Sequence, residues 1–434
     1  MSTAKRVLAP MPALMQVAGS RRAPPHLMST AGNSAAGPSL GRLARLMFVL
    51  FLAGVALRMT ILAMPPVIPL VHDELHMSET QVGLLVGLPL ALFALAAIPG
   101  SLLIARIGSR FAVLTGMVIA AVASGARGAA TDIWTLYAAA IATGFGVAIM
   151  QPGMPTLVRE WLGTRIALGT IAYTSGMLFG ATLSSATTIP YVLPALGGSW
   201  RADMVFWAVP ALLIAPLFFL FSPRRSDRQS ATIATGGRWW PDWKRPLIWL
   251  LGITLGSNNS AFFGTNAFIG DYLASQGKAD LFGPAVAWLN GLQMAAPFIL
   301  LVIANRLERR AWPFLVFGPL LFAAFVAFIF VQSNVAILVA AGLVGFTTAM
   351  TFPPALALPA VLSTPGDVSR TSAGMFTVSY TCGIAIPTIS GALWDLTGKP
   401  WTAFLPLCLC AVTLTIFGAV VTRLPKPADK PAGR

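Results

Sequence analysis

Charge is what this 434-residue chain has least of: only 10% of its residues are Asp, Glu, Lys or Arg, against about 25% in an ordinary soluble domain. A soluble protein of this size needs a wide polar surface, so the deficit excludes an ordinary water-soluble fold and points to a hydrocarbon solvent. Cysteine is nearly absent. Cys382, Cys408 and Cys410 all lie in apolar stretches, which excludes a loop-based disulfide framework and a thiolate metal site. His72 and His76 stand four apart, but two histidines without a third ligand do not make a metal centre. No P-loop, no Ser/His/Asp arrangement and no cofactor fingerprint occurs. Neither enzyme activity nor a bound cofactor is expected.

What is present is hydrophobic, at 56% of residues. A membrane span needs about 20 apolar residues. Such segments lie near 46–71, 80–104, 111–130, 133–156, 166–189, 203–222, 246–270, 283–305, 311–331, 335–361, 371–394 and 401–421. The expected fold is therefore all-α and integral to the membrane, with 12 transmembrane helices. The net charge of +15 does not point to nucleic acid, because the basic residues sit in the tails and in short gaps between spans. With the N-terminus inside, 24 of the 29 Lys and Arg fall on the inner side and four, Arg127, Arg201, Lys278 and Lys399, on the outer. That bias predicts a multi-pass bacterial inner-membrane protein with both termini cytoplasmic.

Residues 223–245, the longest polar stretch between spans, divide the chain. The expected organisation is a disordered cytoplasmic tail (1–43), a six-helix bundle (44–222), a cytoplasmic central loop (223–245), a second six-helix bundle (246–422) and a cytoplasmic tail (423–434). The halves echo one another: span 2 runs into Ala105-Arg106-Ile107-Gly108-Ser109-Arg110, and span 8, 200 residues later, into Asn305-Arg306-Leu307-Glu308-Arg309-Arg310. Such duplication is found in transporters, with the solute site near the midplane between the repeats.

The loop after span 2 is similar to the G-x-x-x-D-R-x-G-R-R/K loop of the major facilitator superfamily at Arg106, Gly108 and Arg110. It departs at Ser101, Ala105 and Ser109. Gly198-Ser199-Trp200-Arg201 and Gly391–Gly398 also resemble superfamily loops. Ala56-Leu57-Arg58, Pro65–Leu70, Met77–Leu85 and Gly144–Met150 resemble the cyanate and 2-nitroimidazole transporter group (CynX/NimT), with Ala56 and Met59 in place of that group's Asn and Pro. The resemblance implies two pseudo-symmetric bundles and transport by alternating access. It also implies conformational roles for Arg106, Gly108, Arg110 and, in the second half, Arg306.

Arg58 is the one formal charge well inside an expected span. It lies 13 residues past Arg45, roughly 20 Å into the membrane at 1.5 Å per residue. A central arginine costs at least about 2.5–3.5 kcal/mol, so it is expected to face a wet cavity or an anion. No carboxylate is expected at its depth. The 200-residue offset sets Asn258 opposite it, and Asn258, Asn259 and Asn266 form a polar cluster in span 7. Asn258 and Asn259 point about 100° apart, one toward a cavity and the other toward a neighbouring helix. Tyr173, Tyr380, Gln293, Asn290 and Gln151 are further candidates for solute contact. Thr347, Thr348 and Thr351 are expected to bond their own helix, and Phe262, Phe263 and Trp288 to shape a pocket or pack.

The expected activity is secondary transport of a small solute, first of all uptake of a small anionic, nitrogen-containing or aromatic compound by a monomer in the bilayer. Efflux of a drug or metabolite, import of a larger aromatic nutrient and a non-transporting receptor are the alternatives. Protons are a possible coupling ion, with Asp271 at the outer end of span 7 as the candidate group.

Overall fold

In lipid every backbone N–H and C=O must be satisfied within the protein, so long apolar runs have little choice but helix. The computed structural model describes residues 40–77, 79–163, 165–223, 239–307, 310–331, 333–364 and 366–425, and among them there is helix and no strand. The expected N-terminal tail, most of the central loop and the end of the C-terminal tail lie outside the described residues.

Twelve helices of membrane-crossing length follow one another. They are α1 (Leu40–Leu62), α2 (Glu79–Ile107), α3 (Ser109–Ala126), α4 (Ile133–Leu162), α5 (Ile166–Thr187), α6 (Trp200–Phe221), α7 (Pro246–Ser275), α8 (Ala279–Ile303), α9 (Trp312–Phe330), α10 (Asn334–Leu362), α11 (Val368–Thr397) and α12 (Leu405–Arg423). Ten stretches are long and apolar enough to cross a membrane on composition alone. The other two helices are α2 and α7, of 29 and 30 residues. The polar run Ser257-Asn258-Asn259-Ser260 dilutes the apolarity of α7.

Proline explains where the helices differ from the expected spans. The first was expected to run to residue 71, but α1 stops at Leu62, and Pro65-Pro66 open a 3-10 turn before a separate short helix, Ile68–Leu75. Arg58 therefore stands one turn from the end of α1 rather than at the centre of a long span. Span 8 was expected to be continuous, but α8 breaks between Leu292 and Ala295. Pro297 has no N–H to give the carbonyl of Gln293. Beyond Thr187, α5 continues as a π turn containing Pro190 and reaches Ala195.

Helix ends are set by local chemistry. Asp132 caps α4 in a reciprocal box: its carboxylate accepts from the N–H of Trp134 and Thr135, and Thr135 Oγ1 accepts from the N–H of Asp132. The hydrogen bond from Thr135 is the main reason its carboxyl sits below its ordinary value. Ser199 caps α6, and α11 ends at Gly398, whose φ of +64° is a left-handed conformation suited to glycine.

Small residues let the helices approach closely. On α1 and α5, a Cβ on Gly54 would collide with the carbonyl of Tyr173, and one on Gly176 with the carbonyl of Phe51. Within the last six helices α7 packs on α11 and α12, and α10 on α8 and α9. The two sets of six meet where α2 and α4 pack against α11, and α4 and α5 against α10.

Candidate functional site

One end of the bundle is basic, flanked by Arg106, Arg110, Arg159, Arg165, Arg245, Arg370 and Arg423. There the two sets of helices are closed on each other by polar contacts. Arg159 Nη1 on α4 donates to the carbonyl of Ala360 on α10 at 2.6 Å, and Ser101 Oγ on α2 meets Ser369 Oγ on α11 at 2.8 Å. Farther in, Thr377 Oγ1 donates to the carbonyl of Ala94 at 2.9 Å, and Gln151 Nε2 donates to the Tyr380 hydroxyl at 2.7 Å. Phe93 and Phe376 pack on the Tyr380 ring. Asp367 ties this end together, bonding Arg370 Nε at 2.7 Å and facing Arg245 Nη1 at 3.5 Å. Burial alone would raise the Asp367 carboxyl; hydrogen bonds and the charges of Arg370 and Arg245 outweigh it and hold it below its ordinary value.

Away from this seal the helices part around a cavity of about 330 Å³, lined by α1, α5, α7, α8 and α10. Arg58 lines it from α1, Asn258 and Asn259 from α7, and Asn290 and Gln293 from α8. Gln293 stands at the break in α8. Arg58 is half-buried and has no hydrogen bond or ion pair among the described residues. Tyr380 lies close enough to interact with it electrostatically. The asparagines, by contrast, are anchored. Asn258 Oδ1 accepts from Thr351 Oγ1 at 2.7 Å, and Asn259 Nδ2 donates to Ser379 Oγ at 2.9 Å. Each keeps the other half of its amide for the cavity. Asn266 bonds within its own helix, to the carbonyl of Phe262.

Three expected contacts are not in the cavity wall. Gln151 and Tyr380 belong to the seal beneath it, and Tyr173 is buried at the contact of α5 with α1, its hydroxyl without a partner. Estimates of depth along a helix put them at the right height without telling which way they face. Phe262 and Phe263 do line the cavity, as does Thr348; Trp288 does not. Thr174, Thr182, Ser185, Met177, Met294 and Phe352 line it without a signal in the sequence, because isolated hydroxyl, thioether and phenyl side chains look like ordinary helix packing.

The loop residues have separate roles. Gly108 begins α3 with a φ of +86°. Arg110 donates to Ser222 Oγ at 2.7 Å and to the carbonyl of Phe219 at 2.5 Å, and its guanidinium lies over the Phe219 ring, so it fastens α3 to the end of α6. Arg106 and Arg306 are exposed. At the opposite end of the molecule, Glu74 accepts from Trp200 Nε1 at 2.5 Å and pairs with Arg201, contacts that depress its carboxyl in that order. Asp271 is exposed and does not line the cavity.

Two charges near span ends are buried: Asp203 in the first turn of α6 and, near it, Arg127, expected on the outer side. Each stands close to a span end in the sequence, where a charge reads as belonging to a loop.

Comparison with known proteins bears on this arrangement. The chain is 24% identical to the cyanate transport protein CynX of Escherichia coli over 385 residues, covering 88% of this chain and 98% of that one. It is 23% identical to the 2-nitroimidazole transporter of the same organism over 381 residues, covering 85% and 92%. Its fold matches the crystal structure of the transporter FucP with a TM-score of 0.69 at 14% identity, over 88% of this chain and 99% of that one. A profile of the Major Facilitator Superfamily matches residues 46–283, more than half of the sequence. A helical membrane protein with a cavity walled by both sets of helices is what such matches require, and the chain belongs to the Major Facilitator Superfamily of transporters.

Proposed function

We propose that this transporter carries a small aromatic anion by alternating access, in the direction of uptake, across a bacterial inner membrane. The observation that carries the reading is Arg58: a guanidinium with no hydrogen bond or ion pair among the described residues, facing a cavity walled by both halves. A charge left so in a membrane interior asks for an anion, and the planar fork of arginine suits a carboxylate or sulfonate. Asn258 and Asn259 offer hydrogen bonds from the other side of the cavity.

Volume supports an aromatic solute over a very small one. About 330 Å³ lies at the lower end of the roughly 300–1,000 Å³ common for small-molecule pockets. A triatomic anion such as cyanate would leave most of that space to water. A single aromatic ring with an acidic group takes up more of it, and Phe262, Phe263, Phe352, Met177 and Met294 give the ring apolar walls. Export of cationic drugs is disfavoured, because no carboxylate among the described residues lines the cavity.

The positive-inside rule supports a cytoplasmic location for the basic end. The cavity then faces outward, with Arg159, Ser101, Gln151 and their partners closing the inner side. Rocking of the halves about the bound solute would break these contacts and open the inner side. A thermal-shift screen of the purified protein against cyanate, 2-nitroimidazole and benzoate tests the reading. Benzoate is expected to raise the unfolding temperature most. Stabilisation by cyanate alone would overturn it.

A further inference from the structure

We propose that Asp203 is the proton-binding site that couples this carrier, and that it acts on the end of α1 through Arg127. The proposal rests on the transport reading above and concerns a place outside the cavity. Asp203 is fully buried in the first turn of α6. Its Oδ1 is met by Thr188 Oγ1 at 3.5 Å, and Trp207 Nε1, which donates to Thr188 Oγ1 at 2.8 Å, also lies within reach of the carboxyl. Its Oδ2 has no hydrogen-bond partner among the described residues. The cation facing it is Arg127, also buried, on the 3-10 turn that follows α3. The two are near enough to feel each other's charge, yet they form no ion pair within 4 Å among the described residues. The other charged pair in the neighbourhood, Arg201 with Glu74, is partly exposed and already matched.

Arg127 is engaged elsewhere. Its Nη2 donates to Ser124 Oγ at 2.5 Å and to the carbonyl of Thr60, while its Nε is left without a partner. Thr60 belongs to the last turn of α1, where carbonyls lack helical partners. A cation there completes the helix end and matches its dipole. Arg58 stands two residues earlier on the same helix.

This arrangement suits a neutral Asp203. An ionised carboxylate with one bare oxygen and no paired cation is a costly thing to bury. When Asp203 gives its proton to water, its O–H bond breaks and a carboxylate remains, and Arg127 Nε is an unsatisfied donor on the cation that faces it. Ionised Asp203 therefore competes with the Thr60 carbonyl for one guanidinium. Proton occupancy sets whether the end of α1, and the Arg58 that it carries, is held in its present place. Linkage then makes proton and anion binding mutually dependent.

The experiment has two arms. In the first, pH-difference infrared spectra are taken of the purified protein in nanodiscs, as wild type and Asp203→Asn. A titrating protonated-carboxyl band is expected in the wild type and absent from the variant. In the second, uptake of benzenesulfonate into proteoliposomes is measured with and without an inward proton gradient, together with exchange of internal for external benzenesulfonate. This probe is permanently ionised and does not cross lipid as a neutral acid. The gradient is expected to stimulate wild-type uptake severalfold and to leave Asp203→Asn unchanged, while exchange persists in the variant. A titrating band retained in full by Asp203→Asn, or gradient-driven uptake in that variant, overturns the proposal. If Asp203→Asn does not fold, Asp203→Glu is read by the midpoint of its infrared titration, and an unshifted midpoint overturns it equally. If the wild type transports no benzenesulfonate, the aromatic-anion reading fails, and the infrared arm still decides the fate of Asp203.

Discussion

The two six-helix halves share a plan and differ in what they bring to the cavity. Arg58 of α1 and Asn258 of α7 are 200 residues apart and face the same space, one as a bare cation and the other as a neutral amide. The amide and its neighbour are held by Thr351 and Ser379 on α10 and α11. The cation is held by no hydrogen bond or ion pair among the described residues. On the proposed reading the difference is a division of labour: the first half supplies the charge that an anion must neutralise, and the second supplies a positioned set of hydrogen bonds. A solute that needs both binds the halves to each other, which is what a rocking carrier requires of its cargo.

Removing the charge is expected to have the largest effect. Arg58→Ala should lower benzenesulfonate uptake by about 100-fold, since a hydrogen bond to a charged group contributes about 1.5–3 kcal/mol and the bare pocket must also desolvate the anion. Arg58→Lys should keep part of the activity, having the charge without the fork. Asn258→Ala should cost about fivefold, in line with about 1 kcal/mol for a neutral hydrogen bond. Equal losses at Arg58 and Asn258 would erase the asymmetry.

Two close-packed glycines, one from each half, are confined differently. A methyl group on Gly176 would meet the Phe51 backbone, which cannot yield without moving α1. On Gly264 it would meet the tip of Leu407, at 2.6 Å, and a leucine side chain can rotate away. Thermal unfolding of purified protein should show Gly176→Ala destabilised by about 1–3 kcal/mol, the usual scale of overpacking, and Gly264→Ala by less.

The smallest effect concerns pH at the basic end. The folded protein holds the Asp367 carboxyl below its ordinary value, so it stabilises the seal fully above the ordinary carboxylate range. That contribution is lost as pH falls from about 4 through the depressed folded value. The unfolding temperature should be flat from neutral pH down to that range and then fall, less steeply in Asp367→Asn. Screening by solvent keeps the difference small.

Much of the fold was legible because apolar length is a strong signal in a membrane protein. The charge asymmetry across the loops reinforced it. The breaks in α1 and α8 were harder. Pro65-Pro66 and Pro297 are visible in the sequence, but membrane helices often tolerate proline, so its presence alone does not say which helix stops. Arg58 was legible as a lone charge in a long apolar run. Arg127 and Asp203 were not, since each lies near a span end and their proximity depends on how α3 packs against α6. The same limit applies to Tyr173, Tyr380 and Gln151. Their depth follows from counting residues, but whether they face the cavity or the seal depends on helix rotation, which packing decides.

The central claim is that the cavity recognises negative charge through Arg58. It is tested most directly by calorimetric titration of benzenesulfonate and its neutral counterpart benzenesulfonamide into wild type and Arg58→Ala. Wild type should prefer the anion by at least about tenfold, roughly 1.4 kcal/mol, and Arg58→Ala should bind the two alike. A preference for the anion that survives in Arg58→Ala, or a wild type that does not distinguish the two, would contradict the account.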